Sequence, residues 1–143
     1  MTTPSESTLP NGSSNGVVRP RVLIVDDERK NRQLIEVMLG DEHYELATAS
    51  SGEEALARIL ARRPDLVLLD VMMPGMDGYQ VAARLKGDPA TARLPIIMLS
   101  ALSDRNSMSH GRAAGAEAFL AKPVNGGELR QQVQKLLGEA KRD

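Results

Sequence analysis

Apolar residues are distributed along the chain in short blocks that alternate between two periodicities. Val22 to Val25 is an unbroken apolar, largely β-branched run that stops at Asp26 and Asp27, the pattern of a strand buried on both faces of a parallel sheet. Leu34, Ile35, Met38 and Leu39 then recur at helical spacing, and Gly40 is placed to stop that helix. The unit repeats. Tyr44 to Ala49 alternates apolar with polar, predicting an edge strand, and Ser51 with Glu54 forms a capping box ahead of Ala55, Leu56, Ile59 and Leu60. Leu66 to Leu69 is a third strand closed by Asp70, and Asp77 caps a helix carrying Val81, Ala82 and Leu85. Ile96 to Leu99 is a fourth strand, closed by Ser100. The segment Ser103 to Ala114 has the length of a helix but offers a core little beyond Met108, Ala113 and Ala114, which predicts weak docking. Ala118 to Ala121 is a short fifth strand ending at Lys122 and Pro123, and Asn125 with Glu128 caps a last helix bearing Leu129, Val133, Leu136 and Leu137. Strict strand-helix alternation with short connections predicts an α/β, doubly wound fold: a five-stranded parallel sheet with helices on both faces.

Composition narrows the picture. With 143 residues, 41% of them hydrophobic, the chain holds one domain. Its net charge of -1 supplies no global field for nucleic acid or an anionic membrane, so partners are recognised locally. Cysteine is absent, which removes disulfides, thiolate metal sites and cysteine nucleophiles, and which fits a reducing cytosol. Residues 1–20 are Ser, Thr, Asn, Gly and Pro-rich without an apolar segment, so they read as a disordered tail rather than a signal peptide or anchor, and a cytoplasmic protein is expected. No apolar run approaches the roughly 20 residues that span a bilayer. The expected organisation is a tail over 1–20, the folded domain over 21–139 and a charged end over 140–143.

The candidate chemistry lies at the ends of the strands. A parallel sheet gathers the carboxyl ends of its strands along one edge, where ligands bind. Here those ends supply Asp26 and Asp27, Asp70, Ser100 and Lys122, three carboxylates with a hydroxyl and an ammonium. Carboxylates this close raise one another's pKa unless a cation sits between them. A hard divalent ion answers this, and Mg²⁺ suits the site better than Ca²⁺ because it binds through one or two carboxylates and completes its shell with waters and a phosphoryl oxygen. Asp70, mid-sheet, is then a nucleophile able to form an acyl phosphate, with Lys122 as point charge and Ser100 as hydrogen-bond donor to the phosphoryl group. Singly, each residue has an ordinary reading: Asp26 and Asp27 as helix caps, Asp70 in a surface turn, Lys122 solvated, Ser100 in a turn, Phe119 in the core. Their joint placement on one edge is what carries the inference. His43 and His110 sit at no strand end and read as surface histidines, and Met72, Met73 and Met76 read as loop packing.

From Arg21 to about Leu137 the chain resembles the receiver domains of bacterial two-component response regulators. The resemblance rests on Val25-Asp26-Asp27-Glu28, on Leu68 to Gly78 (LLDVMMPGMDG), on Leu99-Ser100-Ala101 and on Phe119-Leu120-Ala121-Lys122-Pro123. It implies a flavodoxin-like sandwich with strand order 2-1-3-4-5, Mg²⁺ held by Asp26, Asp27, Asp70 and the backbone carbonyl of Met72, and Asp70 as phosphoacceptor. It implies also that Ser100 and Phe119 form a switch pair, that Lys122 contacts the phosphate, and that a cis bond joins Lys122 to Pro123, where the residues alone give trans as the default. Two positions that tune dephosphorylation in the family fall on Met72 and Leu102, both apolar here.

The implied function is a phosphoacceptor switch, not an enzyme beyond its own phosphorylation and dephosphorylation. Its partners are a sensor histidine kinase or phosphotransfer protein, a downstream protein target and a second copy of the chain as a phosphorylation-dependent dimer, with no nucleic acid bound directly and no membrane. Only residues 123–143 follow Lys122, so a stand-alone switch or relay shuttle is expected, unless the chain is part of a longer regulator. The alternative is a metal-dependent phosphatase of haloacid-dehalogenase type, which also uses an aspartate nucleophile. That family needs a second aspartate two positions on, where Met72 stands, and this chain has no cap domain. A flavodoxin-type carrier lacks its phosphate loop after the first strand.

Overall fold

Strand and helix alternate as the periodicities require: β1 (Arg21–Val25), α1 (Arg29–Leu39), β2 (Glu45–Ala49), α2 (Gly52–Ala61), β3 (Leu66–Asp70), α3 (Gly78–Lys86), β4 (Ile96–Ser100), α4 (Arg105–Ala113), β5 (Ala118–Ala121) and α5 (Gly126–Lys141). The computed structural model describes residues 19–40, 43–101 and 105–141, with the side chains of 105–108 and 139–141 outside the description. All strand pairs are parallel, in the order β2-β1-β3-β4-β5, so the α/β doubly wound expectation and its strand order both hold.

The two-residue period of the strands builds two cores. Leu23, Val25, Val67, Leu69, Ile96 and Met98 face α2 and α3, meeting Ala55, Ile59, Val81, Ala82 and Leu85. Val22, Ile24, Leu66, Leu68, Ile97 and Leu99 face the other way, meeting Ile35 and Leu39 of α1 and Leu129, Val133, Leu136 and Leu137 of α5. Every residue of β3 and β4 is buried. Full burial of one such side chain is worth about 1.5–3 kcal/mol, so the central strands hold the sheet together while β2, half-buried along most of its length, closes an edge.

The helix stripes are narrower than expected. Leu34 and Leu60, assigned to core faces, are 52% and 88% exposed. Each lies one residue, about 100° of helix, from the buried stripe centred on Ile35 and Leu39 or on Ala55 and Ile59. In α4, residues 103 and 104 lie outside the described residues, as does the Met108 side chain; Ala113 is exposed, and only Ala114 packs partly against the core. Among the described side chains of α4, Gly111 lies against β5, where a Cβ would stand 2.9 Å from Cδ2 of Phe119, and His110 meets the Tyr79 ring.

The caps differ in one detail. Asp77 and Gln80 form a full capping box on α3, and Glu128 N–H donates to Asn125 Oδ1 at 2.9 Å on α5. At α2, Ser51 Oγ accepts from Glu54 N at 3.0 Å, but the Glu54 carboxylate reaches past Ser51 to Ser50, accepting from its N at 2.6 Å and its Oγ at 2.9 Å. The tail expected over 1–20 lies outside the described residues except for Arg19 and Pro20, and Pro20 already gives its carbonyl to Glu45 N at 2.9 Å. At the other end α5 runs to Lys141, past the expected boundary at 139. Among the described residues no helix is long and apolar enough to cross a membrane.

Candidate functional site

Adjacent strands carry the acidic residues to one point. Val25 pairs with Leu69, so Asp26, next in line on β1, comes level with Asp70 at the end of β3. Asp26 is fully buried and Asp70 is 3% exposed, whereas Asp27 is exposed. One carboxylate oxygen from each of Asp26, Asp27 and Asp70 lies within 4.8 Å of the others. Lys122 enters from the end of β5, where its N–H donates to Ser100 O at 2.7 Å, and its Nζ donates to Asp26 Oδ2 and to Asp70 Oδ1, each at 3.0 Å. Ser100, closing β4, is fully buried. A cis bond joins Lys122 to Pro123, as the resemblance implied and the residues alone did not.

Electrostatics follow from this burial. Desolvation pushes the Asp70 carboxyl up to about 6; the Lys122 hydrogen bond opposes the rise, and the neighbouring Asp26 and Asp27 charges add to it. Burial pulls the Lys122 ammonium down, but its hydrogen bonds to Asp26 and Asp70 and their charges outweigh that and hold it above the usual lysine value. Two buried carboxylates and an exposed one, facing a single ammonium, leave uncompensated negative charge. The donor set is all oxygen, which fits a hard divalent ion.

The turn after β3 is shaped around the end of that strand. Gly75 takes φ +75°, and at Gly78 a Cβ would meet the Asp70 carbonyl oxygen at 2.5 Å and Val71 Cα at 2.9 Å, so only glycine lets α3 start this close to Asp70. Met73 is buried and Met76 packs against the core, the loop-packing role expected of them; the Met72 side chain is 62% exposed. Leu102 lies outside the described residues. Phe119 is half-buried against the α2–α3 side of the core, in register with Met98, so Met98, Ser100 and Phe119 share one face of the sheet. His43 and His110 are exposed, as expected, and neither joins the acidic cluster; the His110 ring meets Tyr79 edge-on at 5.6 Å.

The contacts that three residues make with Asp26 escaped the sequence reading. Glu28 N donates to Asp26 Oδ1 at 2.9 Å, Asn31 Nδ2 approaches the same oxygen at 3.5 Å, and Arg32 Nη1 donates to the Asp26 carbonyl at 2.7 Å. The available signal was Arg32 itself: a basic residue early in a helix opposes the macrodipole and asks for a reason.

An acidic trio, two of its members bridged by a lysine, at the carboxyl edge of a five-stranded parallel sheet suits a phosphoacceptor module, and comparison with known proteins agrees. Residues 22–134 match the response regulator receiver domain family, and the chain belongs to it. It is 44% identical over 116 residues to the response regulator PleD of Caulobacter vibrioides, covering 81% of this chain and 26% of that protein. It is 38% identical over 122 residues to the phosphate regulon transcriptional regulatory protein PhoB of Rhizobium meliloti, covering 85% and 54%. The chain thus spans between a quarter and about half of these curated relatives. Among solved structures, a response regulator from Chloroflexus aurantiacus superposes with a TM-score of 0.81 at 40% identity, covering 85% of this chain and 99% of that one. The chemotaxis protein CheY4 of Vibrio cholerae gives 0.78 at 34%, covering 83% and 99%. Residues 22–134 are therefore a receiver domain of two-component phosphoacceptor signalling, a family that receives its phosphoryl group from histidine kinases or phosphotransfer proteins. Nothing supports the haloacid-dehalogenase alternative.

Proposed function

We propose that Asp70 is the phosphoacceptor of this domain, and that Asp26, Asp27, Asp70 and the backbone carbonyl of Met72 hold a Mg²⁺ ion beside it. The observation that carries this reading is Lys122 Nζ at 3.0 Å from both Asp26 and Asp70, next to the exposed Asp27. When bound, Mg²⁺ neutralises charge on the phosphoryl oxygens. Asp70 Oδ attacks the phosphorus of a phosphohistidine on a histidine kinase or phosphotransfer protein, the P–N bond breaks as the P–O bond forms, and the imidazole leaves. Lys122 turns its ammonium from the carboxylates to the incoming phosphoryl oxygens, and Ser100 donates a hydrogen bond to them. The chemistry is stoichiometric: apart from its own phosphorylation and dephosphorylation the domain turns over no substrate. Phe119 carries the change to a downstream protein target or to a second copy of the chain. The domain acts in the cytoplasm and passes its signal on through protein contacts.

Acetyl phosphate tests the acceptor. Intact-mass spectrometry should show one phosphoryl adduct that requires Mg²⁺, disappears with EDTA and is absent from Asp70→Asn. An undiminished adduct on Asp70→Asn overturns the assignment, and steady release of phosphate from a generic phosphate ester restores the phosphatase reading.

A further inference from the structure

α1 starts in a way that its own energetics do not favour. Its N-cap, Glu28, makes no side-chain capping bond, and its first turn holds no acidic residue; Arg29, Lys30 and Arg32 stand there instead. Positive charge at a helix N-terminus opposes the macrodipole, so an arginine at this position costs helix stability unless it is engaged elsewhere. Arg32 is engaged. Its N–H continues the helix by donating to Glu28 O at 3.2 Å, while its half-buried guanidinium folds back and donates from Nη1 to the carbonyl oxygen of Asp26 at 2.7 Å, a short charge-assisted bond.

That carbonyl is half of the peptide joining Asp26 to Asp27. The two aspartates are held very differently. Asp26 is buried, with Oδ1 on Glu28 N and Oδ2 on Lys122 Nζ. Asp27 is exposed and accepts no hydrogen bond from another described residue, yet its carboxylate belongs to the same 4.8 Å cluster. A planar peptide fixed at its carbonyl fixes the direction of the next Cα. We propose that Arg32 is a positioning residue for the divalent-ion site: by anchoring the Asp26–Asp27 peptide it aims the exposed Asp27 carboxylate at the ion. The guanidinium touches neither ion nor phosphoryl group and acts only through the main chain.

The inference rests on the Mg²⁺ reading above, and its test separates the two. Mn²⁺ serves as a paramagnetic stand-in for Mg²⁺; its affinity is read by electron paramagnetic resonance, and Mg²⁺ affinity by competition. Arg32→Ala should weaken both by about tenfold or more, as loss of a group supporting metal ligands does, with circular dichroism unchanged. Arg32→Lys, which keeps one donor, should recover part of the loss. In nuclear magnetic resonance spectra of the metal-free proteins, the Asp27 and Glu28 amides should move in Arg32→Ala more than those of β3 or α5. Wild-type affinity in a folded Arg32→Ala overturns the positioning role, and so does equal weakening in Arg32→Lys and Arg32→Ala. If Arg32→Ala unfolds, Arg32→Met keeps the aliphatic stem and the same readouts decide. A wild-type protein that binds neither ion removes the Mg²⁺ reading itself, a result distinct from any of these.

Discussion

At the residue scale the buried Asp70 carboxylate works against the fold that presents it. Asp70 is buried and its pKa is raised to about 6, so between its unfolded value near 3.8 and 6 the folded state binds more protons than the unfolded state. Stability of the metal-free domain therefore falls as pH rises across that window, then stays level. Lys122 has the opposite effect: its raised pKa means that its stabilisation is fully present at neutral pH and is lost only in strong alkali, as pH climbs through the folded value. Asp70→Asn removes the destabilising charge and keeps the volume. In EDTA at pH 7.5 it should raise the stability read from urea unfolding by about 1–2 kcal/mol, and the gain should vanish near pH 4. Mg²⁺ should narrow the gap by binding the folded wild type. An Asp70→Asn protein no more stable than wild type at pH 7.5 without metal would show that Lys122 already neutralises the site.

Elements were legible in the sequence to the extent that one periodicity could carry them. The strand runs at Val22, Leu66 and Ile96 and the chemistry at their ends could be read because burial on both faces leaves no polar position until the strand stops. What could not be read depends on how closely two elements approach. Leu34 and Leu60 look like core residues until the width of the buried stripe is known. Arg32 is a surface arginine until its guanidinium is seen to reach back to Asp26. Gly78 and Gly138 make the point experimentally, since both are helix glycines and only one has a neighbour in the way. Gly78→Ala puts a Cβ 2.5 Å from the Asp70 carbonyl, backbone that cannot swing aside, and should cost about 2–3 kcal/mol in unfolding free energy. Gly138→Ala meets nothing within 4 Å and should raise stability by up to about 1 kcal/mol through helix propensity alone. If the two alanines had equal effects, the close seating of α3 on β3 would be wrong.

Under the proposed function a local event at Asp70 has to reach a surface that a partner reads, and the described packing of the whole molecule offers a route through α4. α1, α2, α3 and α5 each bury two or more aliphatic or alanine side chains against the sheet, and of the α4 residues whose side chains are described, 109–113, Gly111 is the buried position, against the Phe119 ring. Ser100, Met98 and Phe119 share the sheet face under that helix. A phosphoryl group on Asp70 can shift α4 and Phe119 between two arrangements only by the free energy with which it prefers one of them. A hydrogen bond from Ser100 to a charged oxygen supplies about 1.5–3 kcal/mol, enough to shift a two-state ratio roughly 10- to 150-fold. The same amount would scarcely disturb α5, which is held by four buried aliphatic side chains. Beryllofluoride with Mg²⁺, a stable mimic of the phosphoryl group, should therefore change amide hydrogen exchange across α4 and around Phe119 while leaving the middle of α5 as it was. Ser100→Ala should cut that change by about the same factor while leaving Asp70 able to accept phosphate from acetyl phosphate. Protection that altered only in the loops beside Asp70 would confine the switch to its site and exclude α4 as the element that reports it.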